Sequence, residues 1–105
     1  MDIADWRKKI DELDRKLVEL LNQRAEAAHE IGRLKRDGSL PIYEPERERM
    51  VFSNVQKMSQ GPLTPRDLVQ IYERIMDVMR HIQKEEIAPE TESAAAGSTE
   101  LDAED

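Results

Sequence analysis

The chain has 105 residues and a formal net charge of −7; 37% of its residues are charged, 4% are aromatic and none is cysteine. This length fits a single domain, the missing thiols exclude disulfides and cysteine chemistry, and the apolar runs are too short to span a membrane. The acidity argues against nucleic acid as a partner, and residues 1–5 lack the basic and apolar regions of a signal peptide, so a cytoplasmic protein is expected.

The first third of the chain is predicted to form one long amphipathic helix, from Asp5 to Arg36. Apolar residues recur there at alternating steps of three and four, the spacing of a helix face turned toward a core. The residues of this stripe are Trp6, Ile10, Leu13, Leu17, Leu20, Ala27, Ile31 and Leu34. Residues 37–39 are expected to stop the helix, with Gly38 as the left-handed residue that commonly follows a helix end.

Arg24 occupies a position at which this stripe requires an apolar residue. A guanidinium turned toward an apolar interior costs several kcal/mol unless an anion meets it. Lys35 follows eleven residues later, so the two cations share a helix face, about 20° apart and separated by roughly 16 Å along the axis. The pattern predicts an anion-binding site, although Arg24 alone also fits a solvent-reaching rim position and Lys35 alone a solvated helix C-terminus.

Two shorter helices are predicted to follow the long one. The first of them begins near Glu44, with Pro45 at the first helical position, and ends at residues 60–62, Gln-Gly-Pro. The last helix begins with Thr64 as N-cap and Pro65 directly after it. No run alternates at period two, so we expect an all-α fold, a three-helix chain with a long first helix.

The composition changes after residue 87. Residues 88–105 are mainly Ala, Ser, Thr, Gly and acids, with six acids and no base. Such a segment cannot bury enough apolar surface to become ordered. We therefore expect residues 88–105 to be a disordered acidic tail or the stub of a linker, and residues 1–87 to be the helical domain, which is almost neutral at −1 (16 bases against 17 acids).

The length of the first helix predicts a dimer. About 32 residues span roughly 48 Å, whereas a domain of this size has a radius of gyration of only about 13 Å. Two short helices cannot cover so long a stripe. In an antiparallel pair of first helices that cross near Leu17, Arg7 of one chain would lie between Arg24 and Lys35 of the other. We therefore expect an intertwined antiparallel homodimer with two shared sites.

The polar positions of the three predicted helices resemble the pattern of the all-helical, class II chorismate mutases. The resemblance covers approximately residues 5–86. The residues that carry it are Arg7, Asp14, Arg24, Gly32, Lys35, Pro41, Glu44, Arg47, Glu48 and Gln83. It implies an intertwined homodimer of three-helix chains and a Claisen rearrangement of chorismate to prephenate, in phenylalanine and tyrosine biosynthesis, with no cofactor and no metal.

The resemblance implies a role for each polar residue at the reacting centre. Arg24, and Arg7 of the partner subunit, would bind the substrate carboxylates. Lys35 and Gln83 would donate to the ether oxygen, on which negative charge builds in the transition state. Glu48 would accept from the substrate hydroxyl. Lys35, Gln83, Glu48 and Arg24 are thus the expected catalytic residues.

Further residues are expected at the periphery of the substrate. Arg47 would help to hold the carboxylates and Glu48, and the backbone amide of Glu44 would meet the same hydroxyl. Met79 is expected to contact substrate where some family members have a small hydroxyl residue, so one carboxylate contact is missing. Tyr43 stands where some members have a further arginine. Asp14 is expected to support the partner's arginine.

Two other functions remain open from the sequence. A lyase that eliminates pyruvate from isochorismate would use the same scaffold and the same cations. A non-catalytic helical module, for dimerisation or for regulation of a fused or partner enzyme of the aromatic pathway, would suit the acidic tail. The intact set of cations argues against the second alternative, because a purely structural stripe would carry leucine at position 24.

Overall fold

The computed structural model describes residues 1–87, which form three helices: α1 (Ile3–Gly38), α2 (Pro45–Met58) and α3 (Pro65–Ile87). Residues 1–87 contain no strand, so the predicted all-helical chain with a long first helix is confirmed. None of these helices is both long and apolar enough to cross a membrane. The predicted tail, residues 88–105, lies outside the described residues.

The first helix begins two residues earlier than predicted, because two aspartates cap it reciprocally. The Asp2 carboxylate accepts from the Asp5 backbone N–H at 3.0 Å, and the Asp5 carboxylate accepts from the Asp2 N–H at 3.1 Å. These bonds satisfy two backbone donors that a helix start leaves without partners.

The end of α1 corrects the prediction for Gly38. The left-handed residue is Ser39, at φ 54°, and Gly38 remains helical. The Leu40 N–H donates to the Lys35 carbonyl at 2.8 Å and the Ser39 N–H to the Arg36 carbonyl at 3.2 Å. This is the Schellman arrangement, which places its left-handed residue one position beyond the last helical one. The prediction was wrong by that one position.

The starts of α2 and α3 agree with the sequence. Both have proline as the first helical residue, where its missing N–H costs nothing. The Thr64 hydroxyl caps α3 by accepting from the Asp67 N–H at 3.1 Å. Glu44 precedes α2 without capping it; its carboxylate instead bonds Lys35 at 2.9 Å.

Within residues 1–87, α3 is the helix that packs against both others. The core is small: the buried apolar residues are Ala28, Val51, Val55 and Met79. All the buried residues of α1 lie in its C-terminal part, at Ala28, Gly32 and Lys35. The stripe on its N-terminal half is exposed, with Trp6 at 56%, Leu17 at 55% and Leu20 at 63%. One chain therefore folds α3 over only half of its long helix.

Gly32 sets the distance between α1 and α3. A Cβ atom at this position would lie 3.0 Å from the Gln83 Cα and 3.1 Å from the Glu86 Cβ. The first of these contacts is with backbone, which cannot rotate away. The absence of a side chain at Gly32 thus permits the close helix packing, and the same contact places Gln83 directly against α1.

We predict that Gly32→Ala destabilises the fold. The added methyl gains about 0.5–1 kcal/mol of helix propensity, but overpacking against a backbone costs about 1–3 kcal/mol, so a net loss of about 1–2 kcal/mol is expected in urea unfolding. Gly61→Ala is the matched control, because nothing lies within 4 Å of the point that its added methyl would occupy and its φ is not positive. Equal stability of the two variants would contradict this account of the α1–α3 contact.

Candidate active site

A pocket of about 470 Å³ lies among the three helices and the segment between α1 and α2. It is lined by Arg24, Ala27, Ala28, Ile31, Lys35, Ile42, Glu44, Arg47, Glu48, Val51, Met76, Met79, Arg80 and Gln83. Of the residues expected to be catalytic or to bind substrate, all except Arg7 are in this set. The structure thus brings together seven of the predicted site residues from four separate segments of the chain.

Lys35 is buried at the end of this pocket, with 7% of its surface exposed. Its Nζ donates to the Ile42 carbonyl at 2.8 Å and to the Gln83 Oε1 at 2.9 Å, and pairs with the Glu44 Oε1 at 2.9 Å. All three ammonium protons therefore have acceptors. The alternative interpretation of Lys35 as a solvated helix-end residue is wrong.

Gln83 faces the pocket from α3. Because its amide oxygen accepts from Lys35, its NH₂ group is directed away from that ammonium. A primary amide donates through its NH₂ at any pH. Lys35 and Gln83 therefore form a hydrogen-bonded pair that lines the pocket.

Glu48 is held by Arg80, a pocket residue that was not predicted from the sequence. The Arg80 Nε donates to the Glu48 Oε2 at 3.0 Å, and Nη2 donates to Oε1 at 3.0 Å and to Oε2 at 2.8 Å. This hydrogen bonding, more than any other cause, raises the pKa of Arg80. Arg80 lies four residues after Met76 and three before Gln83, so the helical spacing of the pocket-facing side of α3 could have identified it.

Arg24 and Arg47 differ from the other two pocket cations in having no carboxylate partner among residues 1–87. The Arg24 Nη2 lies 3.7 Å from the Met76 Sδ, and the Arg47 Nη1 lies 3.7 Å from the Met50 Sδ. A thioether is a weak acceptor that carries no charge. Both guanidinium charges are therefore uncompensated by this part of the chain.

The charges that line the pocket do not balance. Four cations face two carboxylates, Glu44 and Glu48, and each carboxylate is paired, with Lys35 and Arg80 respectively. The pocket therefore carries a net charge of +2, located at its two arginines without carboxylate partners. Such a site favours a ligand with two negative charges.

Arg7 is not part of this pocket in a single chain. It lies on the N-terminal half of α1, 17 residues before Arg24, which corresponds to about 25 Å along a helix axis. Asp14 lies on the same half of the helix and does not line the pocket.

A second ionic cluster connects the C-terminal end of α3 to α1. The Glu86 carboxylate bonds the His29 Nδ1 at 2.7 Å and pairs with the Arg33 Nε at 3.4 Å, while the Arg36 Nη1 donates to the Glu86 carbonyl at 3.3 Å. The His29 hydrogen bond, followed by the charge of Arg33, lowers the pKa of Glu86. Glu86 follows Gln83 by three residues, so this cluster also stabilises the position of Gln83. Residues 1–87 contain no group of side chains that could hold a metal ion.

Comparisons with known proteins agree with this architecture. The profile of the family described as chorismate mutase type II matches residues 6–84. Over 87 residues the chain is 36% identical to the bifunctional chorismate mutase/prephenate dehydratase of Aquifex aeolicus, an alignment that covers 79% of this chain and 24% of that protein. The chain thus spans about a quarter of the length of this relative.

Two solved structures share the fold over almost their whole length. The chorismate mutase (form II) of Thermus thermophilus has a TM-score of 0.76 at 27% identity, covering 78% of this chain and 93% of that chain. The chorismate mutase of Helicobacter pylori, solved in complex with prephenate, has a TM-score of 0.74 at 28% identity, covering 81% and 92%. The resemblance inferred from the polar residues is confirmed: this chain belongs to the type II chorismate mutase family.

Proposed function

We propose that this protein is a chorismate mutase, which rearranges chorismate to prephenate in phenylalanine and tyrosine biosynthesis. The observation that carries the proposal is the pair of pocket arginines, Arg24 and Arg47, whose charges no carboxylate of residues 1–87 neutralises. Chorismate is a dianion and matches the +2 charge of the pocket. The Helicobacter pylori relative, which is bound to prephenate, supports the same ligand class.

The pocket suits a reaction that needs no nucleophile and no general base. An intramolecular rearrangement is accelerated when the substrate is held in its compact, reactive conformer and when fixed donors meet the charge that builds on the breaking ether bond. We assign the carboxylates to the two arginines and the ether oxygen to Lys35 and Gln83. Glu44 is half exposed at 52%, so its carboxylate can move away from Lys35. The N–H of Lys35 that it releases would then donate a hydrogen bond to the ether oxygen.

The remaining assignments concern the other end of the substrate. Glu48 would accept a hydrogen bond from the substrate hydroxyl, and the Glu44 backbone N–H would donate one to the oxygen of the same hydroxyl. Arg47 would hold a carboxylate and help to orient Glu48. Met79 is buried at 6% exposure and would contribute apolar contact only, because a thioether has no proton to donate.

The complete site is proposed to need a second copy of the chain. The exposed stripe on α1 supports an antiparallel homodimer, because helix faces of this kind are buried in stable proteins. In the proposed dimer, Arg7 of the partner subunit completes the site beside Arg24, and Asp14 supports that arginine.

We further propose that residues 1–87 form the mutase domain, that it acts in the cytoplasm, and that an enzyme which consumes prephenate is its natural partner, fused or separate. The bifunctional chorismate mutase/prephenate dehydratases among its relatives support this pairing. The acidic residues 88–105 suit a tail or linker.

The test of the proposed function is turnover of chorismate by the purified protein, with the product identified as prephenate or pyruvate. We predict prephenate, and we predict that Arg24→Ala lowers kcat/KM by about 100-fold or more, because truncating one partner of a buried charged pair costs about 2–5 kcal/mol. Arg49→Ala, an exposed arginine on α2 that does not line the pocket, is the control and should retain activity. Pyruvate from isochorismate would favour the lyase, and no turnover of either compound would refute an enzymatic role.

Mixed dimers test whether Arg7 acts across the interface. Arg7→Ala and Arg24→Ala chains are co-expressed with different tags and purified through both. Each variant alone is predicted to be inactive, whereas the mixed dimer should have about half of the wild-type activity, because one of its two sites contains both arginines. A mixed dimer as inactive as its parents would place Arg7 outside the partner's site.

Gln83→Glu should make the rate depend on pH. A carboxylic acid donates only when it is protonated, and the neighbouring Lys35 charge favours its ionised form. The variant is therefore predicted to lose activity as the pH rises from 5 to 8, whereas position 83 causes no such loss in the wild type between pH 6 and 9. Gln70→Glu, exposed on α3 and outside the pocket, should keep the wild-type profile. A rate of Gln83→Glu that does not change with pH would show that residue 83 does not donate to the ether oxygen.

A further inference from the structure

Arg80 is held in one orientation by groups from three segments of the chain. Its guanidinium makes the paired bonds to Glu48 on α2, its Nη1 donates to the Asp77 carboxylate at 3.2 Å, and the Tyr43 ring covers it with 5.4 Å between the guanidinium carbon and the ring centroid. A planar guanidinium that has partners at both edges and a ring on its face loses little further freedom when a ligand binds. The side chain is therefore fixed before substrate arrives.

The Arg80–Glu48 pair differs from an ordinary surface ion pair. Only 29% of the Arg80 side chain and 19% of the Glu48 side chain are exposed, and the contact is bidentate, which gives it a defined geometry as well as energy. Both residues line the pocket. The pair thus forms part of the pocket wall.

The hydrogen bonds of Arg80 hold the Glu48 carboxylate along one edge. The Nε and Nη2 groups of the guanidinium face this edge, and Nη2 lies within hydrogen-bond distance of both oxygens. A carboxylate offers about four acceptor positions, two on each oxygen, so positions remain on the side that Arg80 does not occupy. A hydroxyl that approaches Glu48 from that side therefore meets acceptors of fixed orientation.

Arg80 also changes the charge that a dianionic ligand experiences. Without it, the ionised Glu48 would face the ligand uncompensated, and the net charge of the pocket would fall from +2 to +1. Like charges brought together in a partly buried site repel one another more strongly than they do in water. The same guanidinium therefore both orients Glu48 and neutralises its charge.

We propose that Arg80 is a positioning residue of the mutase site, which acts through Glu48 by fixing the orientation of the carboxylate that receives the substrate hydroxyl and by cancelling its charge. This inference rests on the proposed function. Tyr43 then has a role of its own, since it covers Arg80 at the position where some relatives carry an arginine.

A double-mutant cycle on wild type, Arg80→Met, Glu48→Gln and the double variant tests the proposal. Arg80→Met is expected to lower kcat/KM by about tenfold or more and to raise KM, because it leaves a charge unpaired. In the Glu48→Gln background no carboxylate charge is left without a partner, so Arg80→Met should lower kcat/KM by less than about threefold. Arg80→Lys keeps the charge but not the paired geometry, so it should lower kcat with little change in KM.

The controls separate this role from others. Arg74→Met, on the exposed side of α3 and outside the pocket, should behave like the wild type, and circular dichroism should show all variants to be helical. Equal losses from Arg80→Met in both backgrounds would mean that Arg80 binds substrate directly or only supports the fold, and would overturn the proposal. If the wild type is inactive, the proposed function is refuted, and the positioning role with it. If the wild type is active but the losses from Arg80→Met and Glu48→Gln simply add in the double variant, the positioning role alone is refuted.

Discussion

The arrangement of the whole site depends on the burial of one ammonium group. A buried lysine needs an acceptor for each of its three protons, and Lys35 finds them on two other segments: the Ile42 carbonyl and the Glu44 carboxylate between α1 and α2, and Gln83 on α3. Each of these bonds fixes a segment relative to α1. The absence of a side chain at Gly32 then allows α3 to approach closely enough for Gln83 to reach Lys35. The charge that serves the proposed chemistry is thus also the group around which the segments are organised.

Among residues 1–87, a fold built in this way leaves the N-terminal half of α1 uncovered by the other two helices. The packing contacts of α3 stop at the C-terminal part of the long helix, while large apolar residues such as Trp6 and Leu17 remain exposed. The same half carries Arg7, a cation that the family pattern places at the substrate. The proposed antiparallel dimer would answer both features, because a second chain laid on the first would bury this surface and supply this residue.

Much of this could be read from the sequence, because the decisive signals were periodic and local. The stripe of α1 and the irregularity at Arg24 follow from helical spacing, and the starts of α2 and α3 follow from proline and Thr64. What the sequence could not provide was the pairing between helices. Arg80 looks like any surface arginine until the packing of α2 on α3 brings Glu48 to it. The wrong prediction of Gly38 as the left-handed residue has a similar cause. The end of α1 is defined by the hydrogen bonds of the Leu40 and Ser39 N–H groups, which the identity of Gly38 does not reveal.

The distribution of charge explains how an acidic protein can receive an anion. The formal charge of −7 describes the whole chain, whereas a ligand in the pocket interacts mainly with the six charged groups that line it. Two of the cations, Lys35 and Arg80, are paired with carboxylates, which holds them in place. The other two, Arg24 and Arg47, are left with thioethers, so their charges remain available. A pocket with four equally neutralised cations would bind no dianion, and one with four unpaired cations would lack the fixed geometry that a rearrangement requires. The division between paired and unpaired cations gives this site both properties.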